Sequence, residues 1–190
     1  MKLQPIHSIS LLDGREIVQW IGFEMAISGG EPCLQTNPDS NKNTGYTPVQ
    51  WTHSSVPYLQ FTRIDIHVKD GMMFHLTSHM DDGSGYHGFV LTDSPMSTLS
   101  ASDQSDECNN EFSIYRVREL HELPLGIARI TAIHKDGPNA EIEATMAIGK
   151  NVIRVISGEV YDSADGYTIS NPDESILLQL NGIRPPSPTP

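Results

Sequence analysis

Four of the eight histidines of this 190-residue chain fall between His67 and His87, and around them lies the densest concentration of groups that can do chemistry. Ile64, Ile66 and Val68 alternate with Asp65 and His67, and Phe74 and Leu76 alternate with His75 and Thr77, the period-two pattern of half-buried strands. The two apolar sets share a face only if Lys69-Asp70-Gly71 forms a three-residue turn with a left-handed glycine. That register sets Ile66 opposite Phe74, Ile64 opposite Leu76 and Asp65 opposite His75. Asp65, His67, His75, Thr77 and His79 then project from the face away from the apolar strip. Imidazoles and a carboxylate on one sheet face can ligate zinc or another transition metal, or form a general-base pair, so Asp65, His67, His75 and His79 are candidate ligands. Histidine and threonine are also ordinary residues of a solvated strand face, and the sequence favours that plainer reading.

Other motifs fail on spacing. Asp39, Asn41 and Asn43 supply oxygens at alternate positions as a calcium loop does, but the glycine is one place late at Gly45 and Gln50 stands where a glutamate is needed. No Gly-x-Ser-x-Gly, Ser-x-x-Lys or His-Glu-x-x-His occurs, so no linear motif supports nucleophilic catalysis. Glycine-rich phosphate cradles are missing too. Cys33 and Cys108 are too far apart for a metal or redox motif and read as reduced loop thiols. Asp81-Asp82 and Asp173-Glu174 read as turn and capping residues.

Charge points to a partner. Twelve basic residues face 24 acidic ones, a net charge of −12 shared by both halves of the chain. Such a field repels phosphate backbones and anionic lipid, so neither nucleic acid nor a membrane surface is an expected partner. It attracts a basic protein. Tyr46, Trp51, Tyr58, Tyr86, Tyr161 and Tyr167 lie in or beside polar loops rich in carboxylates. Aromatic anchors beside acids suit a basic surface, and Tyr46, Trp51, Asp81, Asp82, Tyr86, Asp103, Asp106 and Glu107 form the candidate partner-binding set. The expectation is a non-enzymatic acidic binding protein without cofactor. In concrete form it is an inhibitor or immunity protein neutralising a basic enzyme or toxin. The alternative is a metal-dependent enzyme or small-ligand binder using the histidine face, with a transition metal such as zinc. The chain starts without a signal-peptide pattern and has no apolar run near the roughly 18 residues of a membrane span, so a cytoplasmic protein is expected.

The elements that must position these residues are strands punctuated by turns. Residues 6–12 and 16–27 read as the first two, followed by a long polar stretch over 28–50. A three-stranded meander over 63–92 carries the histidines, and an acidic loop covers 94–111. Strands follow at 112–119, at 127–134 paired with 140–148 through Asp136-Gly137-Pro138, and at 152–161. Over 173–180 an asparagine cap, Pro172, Glu174 and the following Gly182 predict a short helix, although the apolar residues also alternate. Residues 184–190 form a proline-rich tail, expected to be disordered. The fold class is all-β, with at most one or two short helices. It is a single domain over 1–183 in which an antiparallel meander closes as a barrel or two-sheet sandwich.

Overall fold

The computed structural model describes residues 7–29, 49–80, 87–95, 113–136, 140–163 and 165–183. Eleven strands occur in them: β1 (Glu16–Met25), β2 (Leu59–Val68), β3 (Met72–Met80), β4 (His87–Pro95), β5 (Tyr115–Glu119), β6 (Gly126–Asp136), β7 (Ala140–Ile148), β8 (Asn151–Ser157), β9 (Glu159–Ser163), β10 (Gly166–Ser170) and β11 (Ile176–Leu180). Nine form one antiparallel sheet in the order β4-β3-β2-β11-β8-β7-β6-β1-β5. The further pairings β2–β1 and β4–β7 curl it into a closed six-stranded barrel with extra strands. Among the described residues no helix is long and apolar enough to cross a membrane.

The meander obeys its turn chemistry. Gly71 takes φ +83°, the Met72 N–H donates to Asp70 Oδ1 at 3.1 Å, and Ile66 pairs with Phe74, Ile64 with Leu76 and Asp65 with His75. Inward-pointing residues fill the barrel: Trp20, Phe61, Ile64, Ile66, Phe74, Leu76, Leu91, Met146, Val155 and Leu178 are all buried. Burying each such large apolar side chain contributes about 1.5–3 kcal/mol. Gly22 makes room for this packing, since a Cβ there would lie 2.5 Å from the Phe61 ring.

Three elements differ from the sequence expectation. Residues 7–12, the described part of the first expected strand, do not form one: His7 makes a single bridge to Leu91, and Ile9–Leu12 is a 3-10 helix, capped by the Ser8 side chain, which accepts from the Ser10 N–H. Ile9 and Leu12, three residues apart, fall on one face of such a turn and are both buried. The Ile9 N–H is bound by Glu141 Oε2 at 3.0 Å. Residues 173–180 are not a helix, because Ile176–Leu180 is β11, held between β2 and β8. Five residues make a marginal helix, whereas an apolar run on both parities suits a strand covered on both faces. Finally, the strand expected over 152–161 breaks at Gly158 into β8 and β9, where a Cβ would lie 2.7 Å from the Ser170 carbonyl oxygen.

That break sends β9 and β10 off as a separate two-stranded sheet beside the barrel. Val160 joins Ile27, Val56, Ile156 and Leu177 in a second small core, with Tyr58 and Tyr167 packed on it. Polar bonds fasten the hairpin as well. Tyr167 donates to Gln50 Oε1 at 2.8 Å, and the Val160 N–H to Gln60 Oε1 at 2.7 Å.

Candidate functional site

β2 and β3 deliver Asp65 and His75 directly opposite one another, and the two side chains bond, with His75 Nδ1 2.7 Å from Asp65 Oδ1. An ionised carboxylate only accepts, so Nδ1 carries the proton and, in the neutral ring, Nε2 is left as an acceptor. Nε2 lies 3.0 Å from Ser94 Oγ on β4. Three neighbouring strands thus align a carboxylate, an imidazole and a hydroxyl in one hydrogen-bonded chain. The Asp65 side chain is 4% exposed and that of His75 17%. A carboxylate so buried needs a cation. Arg63 supplies it: Nη2 donates to Oδ2 at 3.3 Å, and Nε is 3.0 Å from Oδ1 with its N–H aimed aside. The guanidinium stacks 3.6 Å over the Phe23 ring, which holds it in place. Turn arithmetic foresaw the Asp65–His75 pair. Ser94 was missed, because the meander was expected to end at 92 and an acidic loop to begin at Ser94, whereas β4 runs on to Pro95 and sets Ser94 on a diagonal from His75.

His67 lies one pleat further along β2, half-buried, with Nε2 enclosed and without a hydrogen-bond partner among the described residues. Burial pushes its pKa below the ordinary histidine value; the Asp65 charge opposes this and His75 adds to it. His79 is not part of the group. It is exposed, pairs with Gly88, and stands four residues beyond His75, about 13 Å along an extended strand. The structure therefore brings Asp65, His67 and His75 together and leaves His79 apart. Among the described residues no group of three or more His, Cys, Asp or Glu side chains is disposed to hold one metal ion. The Asp65 oxygens already face Arg63 and His75.

A second ionic group caps the inner face of β1. Glu24, 1% exposed, takes both Arg116 Nε and Arg118 Nε on Oε2 at 2.7 Å, and Arg118 Nη2 reaches Glu122 Oε1 at 2.7 Å. Arg116 lies 4.1 Å over the Trp51 ring. Trp51, expected as a loop aromatic for a partner, is half-buried and braces this network.

The remaining charge is unevenly placed. From Val155 to Ile183 the chain holds Glu159, Asp162, Asp165, Asp173 and Glu174 and not one Lys, Arg or His. The other described residues carry eleven carboxylates against nine Lys and Arg. There, Glu16, Glu24, Asp65, Asp70, Glu122, Glu141 and Glu143 all have cationic partners. The five carboxylates on and beside β9–β10 make no ion pair among the described residues. Their repulsion shows in the neighbouring groups. Burial and the Asp173 and Glu174 charges push the Glu159 carboxyl up. The Tyr161 phenol, which donates to Asp173 Oδ2 at 3.0 Å, is pushed up to about 12 by desolvation, that bond and the charges of Glu159, Asp173 and Glu174. Of Trp51, Tyr58, Tyr161 and Tyr167, Tyr161 alone is exposed. Ile169 of β10 is exposed as well. The other expected partner-binding residues, Tyr46, Asp81, Asp82, Tyr86, Asp103, Asp106 and Glu107, lie outside the described residues.

No protein-family model, curated protein or solved structure matches the chain.

Proposed function

We propose that this chain is an acidic binding protein that captures a basic protein partner, with the β9–β10 hairpin and the turn at 171–175 as its docking face. The observation that carries this reading is the sorting of charge: the described barrel residues nearly balance their own acids, while the hairpin and the turn after it hold five carboxylates that make no ion pair among the described residues, with the His87 charge acting on Asp173 alone. Tyr161 gives that face an aromatic anchor, and Ile169 gives it apolar area. A field of this sign draws a basic partner in and speeds encounter. In the form we favour, the partner is a basic enzyme or toxin and the chain is its inhibitor or immunity protein.

The test is a panel of purified basic nucleases and other basic toxins, passed over the immobilised chain at low and at physiological salt. The reading expects at least one to bind, with an association rate that falls about tenfold or more between the two conditions. Absence of binding throughout, or association indifferent to salt, would overturn it.

A further inference from the structure

We propose that Ser94 is an activated nucleophile that accepts the acyl group of small uncharged esters, an activity separate from the docking face and resting on different residues. A serine hydroxyl is a weak nucleophile until a base stands within hydrogen-bond reach and a third group orients that base. Both conditions are met. His75 Nε2 is 3.0 Å from Ser94 Oγ, and Asp65 fixes the ring from behind at 2.7 Å. Asp65 is itself held by Arg63, whose guanidinium is stacked on Phe23. The exposures are graded in the useful direction: Asp65 is shut away from water, His75 is slightly open, and Ser94 is half-buried. An uncharged ester fits because a chain of net charge −12 repels anionic substrates.

In the reaction, Ser94 Oγ forms a bond to the ester carbonyl carbon as its proton passes to His75 Nε2. The bond to the alkoxide then breaks, the alkoxide takes that proton and leaves as the alcohol, and Ser94 carries the acyl group. Water, deprotonated by the same nitrogen, releases the carboxylic acid and restores the hydroxyl. Ser94 and His75 are the catalytic residues; Asp65 is a positioning residue that holds the tautomer.

The experiment treats the full chain with a fluorophosphonate probe and, separately, with p-nitrophenyl acetate, and maps adducts by peptide mass spectrometry. The proposal expects one adduct per chain, on Ser94, and none there in Ser94→Ala. His75→Gln should slow labelling about 100-fold or more. A downfield Nδ1 proton resonance of His75 should vanish in Asp65→Asn while the strand resonances persist. Labelling in folded His75→Gln as fast as in the parent chain would overturn it. Should His75→Gln fail to fold, the parent chain decides: Ser94 modified at least tenfold faster than other serines supports the proposal, and equal labelling overturns it.

Discussion

At the scale of single residues, the side chains that matter most are charged groups made to live in or beside the core. Glu24 is the clearest case, because two arginines reach it from a strand some ninety residues away. Glu24→Gln would leave Arg116 and Arg118 partly desolvated without their counter-charge, and breaking such a pair costs about 3 kcal/mol or more. Urea unfolding with an unchanged slope should report that loss. His67 gives a pH signature. Its folded pKa lies below the ordinary value of 6.5, so in falling pH the unfolded chain takes up a proton that the folded ring resists. Stability should therefore drop as pH falls through and below 6.5, and His67→Gln should flatten the drop in thermal melts across that window. The sequence revealed the Asp65–His75 contact because one turn fixed it. Glu24 shares the inward parity of Trp20 and Gly22, where a lone acid looks like an error until its arginines are in view. Ser94 was hidden because the meander was expected to end at 92, short of the residues that β4 carries on to Pro95.

At the scale of elements, alternation and Asp-Gly turns identified the meander and the β6–β7 hairpin, since each is decided within about twenty residues. β11 was misread because its capping signals are local while its burial is not. Ile176 and Leu178 fill the barrel, and Leu177 packs outside it against the second core. β9 was likewise hidden at the end of the strand expected over 152–161, which only the close approach at Gly158 divides, and β10 lies beyond that run. Their hairpin carries its own test. Glu159 holds its proton more tightly when folded, so its charge opposes folding at neutral pH, and stability at this site should rise as pH falls toward the ordinary carboxyl value of 4.5. Glu159→Gln should raise the melting temperature slightly at pH 7 and not at pH 4. Tyr161 acts at the other extreme: between its ordinary 10 and about 12 the unfolded chain loses a proton that the folded chain keeps. That contribution disfavours the fold as pH climbs, and Tyr161→Phe should remove it.

At the scale of the whole molecule, the barrel and the charge answer different questions. The barrel is a closed scaffold with most of its ion pairs satisfied, a frame on which a binding face can be held rigid. The net charge of −12 would favour a basic partner; the pairing of acids with arginines and lysines elsewhere is what supports β9–β10 as the proposed docking face. From composition the sequence led to the expectation of a basic partner and a face in the loops, most of whose residues lie outside the described ones; counting acids could not point to β9–β10, because it does not tell which acids the fold neutralises. We propose that the carboxylates of β9–β10 and of the turn at 171–175, which make no ion pair among the described residues, steer a basic partner. The most direct test is the association rate of a bound basic protein for the parent chain and for the Glu159→Gln, Asp173→Asn double variant, measured across a salt series. The account predicts a slower rate and a shallower salt slope for the variant, with dissociation changed less. Identical rates and slopes in the two proteins would contradict it.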